Sequence, residues 1–160
     1  MAYIVARDLH CAPVAVLLSG VRTNACLLYN FASTPLEPNV TLILNVEDFE
    51  AARYAKTRVL QNAGFSVQEA TNGAEALEMA SRLHPALILL DIRLPDISGL
   101  EVCRRIRENA ALDSVLVIQT SAAFASRADA ENGISSGADG YLAAPFEPRD
   151  LVAMVRTLVQ

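Results

Sequence analysis

Charge is sparse in this chain: Asp, Glu, Lys and Arg supply 19% of its 160 residues, and 18 acidic side chains outnumber 13 basic ones for a formal charge of -5. Wrapping a polyanion needs clustered Lys and Arg that release counterions, so this balance argues against direct nucleic-acid binding. Glycine and proline are few, at 7 each, and 52% of residues are apolar, which excludes a disordered or low-complexity polymer and fits a packed globule. Cysteine is limited to Cys11, Cys26 and Cys103, an odd number with no CxxC spacing and no His-rich neighbourhood. A disulfide framework and a zinc site are thereby disfavoured, and a reducing, cytoplasmic setting suits the chain. Cys103 lies in an apolar helical stripe and reads as a small core residue. The apolar run from residue 12 to 21 is too short to span a bilayer, so no membrane partner is expected.

Residues 1–39 read as an N-terminal extension that is poorly ordered, with Ser33-Thr34-Pro35 to Glu37-Pro38 as a linker. A signal peptide borrows Arg7 as its charged start and Ala25 as a small residue before cleavage, but Asp8 and Arg22 sit badly in it. A start site placed upstream of the true one is the other plain explanation. Residues 40–160 have the size of one domain.

Within that domain, short apolar runs alternate with segments of helical period. Leu42 to Val46, Ser66 to Ala70, Ala86 to Leu90, Val115 to Ile118 and Tyr141 to Ala143 are the strand candidates. Phe49, Ala52, Ala55 and Val59 mark one helix face, and Ala74, Leu77 and Ala80 a second. Leu100, Cys103 and Ile106 mark a third, and Leu151, Met154, Val155 and Leu158 a fourth. Ser126 to Ser136 carries an interior Gly133, which costs roughly 1 kcal/mol against Ala, so a helix there is marginal. The first and third runs, taken as apolar throughout, suit strands buried on both faces, while Ser66 to Ala70 alternates like an edge. A parallel α/β sheet follows, and right-handed crossovers place all strand C-terminal ends on one rim.

The acids fall on that rim. Glu47 and Asp48 follow the first run directly, and Asp91 follows the third. Three carboxylates brought together repel and take up protons unless a hard divalent cation with oxygen ligands neutralises them, and Mg²⁺ is the natural choice. Asp48 before Phe49 also reads in part as a helix cap.

Glu47-Asp48, Asp91 with Leu94-Pro95-Asp96 and Gly99, Ser121-Ala122, and Gly137-Ala138-Asp139 through Tyr141 to Pro145 together resemble the response regulator receiver domains of bacterial two-component systems. The resemblance implies a doubly wound, flavodoxin-like and CheY-like five-stranded parallel sheet of order 2-1-3-4-5. It implies that Asp91 accepts a phosphoryl group from a sensor histidine kinase, a phosphotransfer protein or a small donor, forming an aspartyl phosphate. It further implies Mg²⁺ held by Asp48, Asp91 and the Arg93 backbone carbonyl, with Glu47 acting through a water. Ser121 would hydrogen-bond a phosphoryl oxygen, and Thr120 is its rival by one residue. Ser121 and Tyr141 would form the switch pair, and the output would pass to a downstream protein, since no residues remain after Gln160 for an output domain. Such a module is a phosphoacceptor rather than a turnover enzyme.

One feature departs from the family. A lysine usually precedes the proline that ends the fifth strand, and Ala144 stands there before Pro145, removing a charge-assisted contact. The alternative reading is therefore a pseudo-receiver, a protein-interaction module independent of phosphorylation. Arg93 reads as a solvent-exposed loop arginine, and Arg104, Arg105 and Arg107 as a solvated helix face. A haloacid-dehalogenase-type phosphatase resembles an Asp-x-Asp pattern, but Arg93 fills the second position and supplies no general acid. A dinucleotide site is opposed by Glu47-Asp48, which would repel phosphate where a Gly-rich loop should cradle it.

Overall fold

The computed structural model describes residues 2–4, 40–121 and 135–160. Its sheet contains β1 (Ala2–Ile4), β2 (Leu42–Val46), β3 (Ser66–Ala70), β4 (Leu87–Asp91), β5 (Leu116–Ser121) and β6 (Gly140–Ala143). The helices are α1 (Glu50–Asn62), α2 (Gly73–Leu83), α3 (Gly99–Glu108) and α4 (Pro148–Leu158), with a 3₁₀ turn at Ala110–Leu112. Strands lie in the order β1-β6-β5-β4-β2-β3. The five strands from β2 to β6 are parallel and reproduce the expected 2-1-3-4-5 arrangement. The addition is β1, which pairs antiparallel with β6 through Tyr3 and Tyr141 and covers that edge. Residues 5–39, the bulk of the expected extension and linker, lie outside the described residues, as does most of the expected helix at 126–136.

Alternation along the strands divides the core in two. Leu44, Val46, Ile88, Leu90 and Val117 pack against Ala76, Met79 and Ala80 of α2 and Val102, Cys103 and Ile106 of α3. Ile43, Leu87, Leu89, Ile118 and Leu142 pack on the other face against Leu60 of α1 and Leu151, Met154 and Val155 of α4. Cys103 is a buried, unbridged thiol, as its stripe suggests. On α2 the buried face is Gly73, Ala76, Met79 and Ala80, so Ala74 points outward.

Polar side chains run further into this core than the periodicity shows. β5 extends through Gln119, Thr120 and Ser121, beyond the expected end at Ile118, because buried Gln119 and Thr120 find partners there. Gln119 Nε2 donates to Ser136 Oγ at 3.0 Å, and Thr120 Oγ1 accepts from Lys56. Asn45 interrupts the apolar run of β2, and its amide donates to Thr57 Oγ1 and the Arg53 carbonyl, both at 3.0 Å. These bonds offset the desolvation cost of the two amide nitrogens and the Thr120 hydroxyl, whereas Asn45 Oδ1 and Gln119 Oε1 are buried with no hydrogen-bond partner among the described residues.

Arg107 corrects the reading of a solvated arginine face. Arg104 and Arg105 are exposed and ion-paired to Glu101 on the same helix, but Arg107 turns inward. Its guanidinium donates to the Asp139 carboxylate, to the Gly137 carbonyl at 2.8 Å and to the Val115 carbonyl at 2.7 Å. Asp139 also accepts from Val117 N at 2.8 Å, so the pair ties α3 to the entrances of β5 and β6. Gly137, at φ 96°, keeps a methyl group off the Arg107 side chain.

Two outcomes follow from these contacts. Arg107→Met leaves the Asp139 carboxylate buried without its cation and should lower unfolding stability by about 3–5 kcal/mol in urea titrations; a loss within experimental error would show that the pair is dispensable. Asp96 caps α2 from outside, accepting from Gly73 N and Ala74 N at 2.8 Å each, and these backbone donors hold its carboxyl down at about 2. Because the folded value lies below the ordinary aspartate value of about 3.9, its contribution is complete above that value. It disappears as pH falls through about 2. Thermal melts should therefore show an acid loss of stability in this window that is smaller in Asp96→Asn.

Candidate functional site

The C-terminal ends of β2, β4, β5 and β6 form one rim, and register sets what meets there. Val46 pairs with Leu90, which brings the next residues, Glu47 and Asp91, side by side, and Asp91 in turn pairs with Thr120 of β5. Carboxylate oxygens of Glu47, Asp48 and Asp91 lie within 4.8 Å of one another. Glu47 and Asp91 are buried, whereas Asp48 is exposed.

Backbone contacts fix these acids. Phe49 is the N-cap of α1 and no side chain caps that helix, so the expected capping role of Asp48 is not found. Phe49 N instead donates to Glu47 Oε1 at 3.3 Å. Arg53 reaches back from α1 to the Glu47 and Asp48 carbonyls at 3.0 and 3.2 Å and pairs with Glu69 of β3. Arg93 N donates to Asp91 Oδ2 at 2.9 Å, while the Arg93 side chain is exposed as its loop position suggests. Gly99 N donates to the Ile92 carbonyl at 2.8 Å, and a Cβ at Gly99 would overlap the Asp91 carbonyl oxygen. Glycine is required there because α3 begins directly against the backbone of the acidic strand end.

Burial pushes the Asp91 carboxyl above the ordinary aspartate range, and the Glu47 charge adds to the rise. Lys56 and the Arg93 N–H oppose it, and Asp48 contributes a further, smaller upward push. The protein's own groups leave the site short of positive charge. Three carboxylates against the one ammonium beside them leave two negative charges, which matches a divalent ion, and the donor set is entirely oxygen. The residues present therefore fit Mg²⁺.

Ser121, at the end of β5, lines the same cavity as Asp91, and so does Thr120. Thr120 points to the α1 side, where its hydroxyl is engaged by Lys56, while Ser121 is less buried. Tyr141 is 1% exposed and lies beside Gln119 across β5 and β6. Ala122, the small residue after Ser121, lies outside the described residues.

The cavity has a volume of about 620 Å³ and extends from the acids along α1 to α4. Phe49, Ala52, Ala55 and Val59, the apolar stripe of α1, line it together with Pro145, Phe146 and Leu151. That stripe therefore faces an open groove. The buried face of α1 is instead Lys56, Thr57 and Leu60.

Lys56 is the site residue that sequence reasoning missed. Its Nζ donates to Glu47 Oε2 at 2.7 Å and to Thr120 Oγ1 at 2.9 Å. Two signals were available: Lys56 follows Ala52 by one helical turn, placing it beside the stripe, and it is the single lysine among the 13 basic residues of the chain. Neither reveals the Thr120 contact, which joins residues 64 apart in sequence.

Comparison with known proteins agrees with this geometry. Residues 43–156 match the family model of the response regulator receiver domain. Response regulator MprA of Mycobacterium leprae is 38% identical over 118 residues, covering 74% of this chain and 50% of that protein. The transcriptional regulatory protein CreB of Escherichia coli is 37% identical over 115 residues, covering 72% of this chain and 49% of that protein. The chain thus spans about half the length of these relatives. Among solved structures, a putative response regulator from Chloroflexus aurantiacus superposes with a TM-score of 0.72 at 30% identity, covering 75% of this chain and 98% of that one. The chemotaxis response regulator CheY4 of Vibrio cholerae gives 0.69 at 26% identity, covering 74% and 98%. With the family model matched across most of its length and its own strand order and rim in agreement, the chain belongs to the response regulator receiver domain family.

Proposed function

We propose that this receiver domain is a working phosphoacceptor, with Asp91 as the residue modified. The observation that carries the reading is the convergence of Glu47, Asp48 and Asp91 within 4.8 Å at the rim of the sheet. One Asp91 oxygen is held by Arg93 N, leaving the other to attack phosphorus. The new P–O bond forms as the P–N bond to a donor histidine breaks, and the imidazole departs with the electron pair of that bond. Asp48, Asp91 and the Arg93 carbonyl would hold Mg²⁺, with Glu47 acting through a water, since Lys56 and Phe49 N already engage both of its oxygens. The ion would supply charge neutralisation for the phosphoryl oxygens. Ser121 is the hydroxyl that donates to a phosphoryl oxygen, because it is the less buried of the two at the cavity, while Thr120 is buried with its oxygen turned toward Lys56. Ser121 and Tyr141 would then relay the modified state to a downstream protein.

The donor is a sensor histidine kinase or a phosphotransfer protein in the cytoplasm. The groove beside Asp91 supports this, because Phe49 is 66% exposed at its mouth and an apolar helix face on the partner would bring a phosphohistidine to the acids. Among the described residues no helix is long and apolar enough to cross a membrane. With its acidic balance the domain is expected to act through protein rather than nucleic acid.

Incubation with Mg²⁺ and acetyl phosphate, followed by intact mass measurement, tests the assignment. The wild type should gain one phosphate and Asp91→Asn none. A wild type that stays unmodified under these conditions would favour the pseudo-receiver reading, in which Ala144 marks a lost switch.

A further inference from the structure

Ala144 leaves the end of β6 without a cation, yet the cavity around Asp91 holds one from another direction. Lys56 lines the same cavity as Asp91 and Ala144 and is 9% exposed. The other 12 of the chain's 13 lysine and arginine side chains are arginines. A compact ammonium, unlike a planar guanidinium, fits a crowded position beside a tetrahedral anion. Its two contacts place it between the acids and β5: Glu47 Oε2 lies at 2.7 Å, and Thr120, the residue paired with Asp91 across the sheet, at 2.9 Å.

A stabilising ion pair is a poor explanation for this arrangement. Burying a lysine against a carboxylate costs desolvation that the pair's own attraction roughly offsets, and well-packed apolar residues commonly do as well. Ammonium has three donors, and among the described residues two are taken, which leaves one for an incoming oxygen. The phosphoryl oxygens on Asp91 are the nearest chemistry that calls for it.

We propose that Lys56 is the cation that contacts the phosphoryl group on Asp91, reaching it from α1 in place of the charge that Ala144 lacks. The inference rests on Asp91 as the phosphoacceptor. Lys56 donates a charge-assisted hydrogen bond to a phosphoryl oxygen and transfers no proton, and the contact strengthens as charge spreads over those oxygens during transfer. The contact with Glu47 holds the ammonium at the site before the phosphoryl group arrives.

Because the chain has one lysine, selective ¹⁵N and ¹³C lysine labelling yields a single Cε–Nζ signal. Adding Mg²⁺ and beryllofluoride, a phosphoryl mimic, to the wild type should shift that signal beyond the shift caused by Mg²⁺ alone. An unchanged signal with the mimic bound overturns the inference without touching the role of Asp91. In acetyl phosphate reactions, Lys56→Met should slow adduct formation about 100-fold, Lys56→Arg should recover part of the rate, and Lys56→Met with Ala144→Lys should recover more. A Lys56→Met variant modified at the wild-type rate overturns it equally. A wild type that neither gains phosphate nor binds the mimic removes the function of Asp91 and this inference together. The labelled wild type needs no substitution, so the test stands even where Lys56→Met fails to fold.

Discussion

Mutual repulsion among Glu47, Asp48 and Asp91 is the constraint around which the rest of this domain is arranged. The parallel register of β2 and β4 forces Glu47 and Asp91 together, and burial of both makes their charges act at low effective dielectric. Lys56 relieves part of that repulsion and Arg93 N part of the rest. Around this centre the backbone is held by contacts between neighbouring elements. Arg53 grips the two carbonyls after β2, Asp96 fastens the loop after β4 to α2, and Gly99 lets α3 start against the Asp91 carbonyl. Each contact limits how far the acids can separate, and so converts fold stability into a preorganised anionic pocket.

Arg53 and Arg107 hold the structure, whereas Lys56 lies in the cavity of the acids. Arg53 and Arg107 use the fork of the guanidinium to bind several carbonyls and a carboxylate at once, which suits fixing loops. Through Arg107, Gly137 and Asp139 have a structural role remote from the acids. The network fixes the entrances of β5 and β6, the strands that carry Ser121 and Tyr141.

Much of this was legible in the sequence. Apolar runs located the five parallel strands, and acids directly after the first and third runs located the rim, because strand ends and crossovers are local consequences of patterning. What escaped was polar and buried. Asn45, Gln119 and Thr120 look like interruptions in a linear pattern, and Arg107 like one more surface charge, because the partners that stabilise them lie on other elements of the fold. The α1 stripe misled in the opposite direction. Phe49, Ala52, Ala55 and Val59 have the period of a core face, but periodicity reports that a face is apolar, not what covers it, and here it lines the groove beside Asp91. Lys56 went unseen for both reasons, being a charge beside an apolar stripe whose partner on β5 no local pattern reveals.

Calorimetric titration of Mg²⁺ into the wild type and Asp48→Asn measures most directly whether the three acids act as one centre for a divalent ion. The wild type should show a single saturable site, and the variant, which keeps both buried acids and the lysine, should lose it. Equal binding by the two proteins would contradict the account, since the exposed carboxylate would then stand outside the centre.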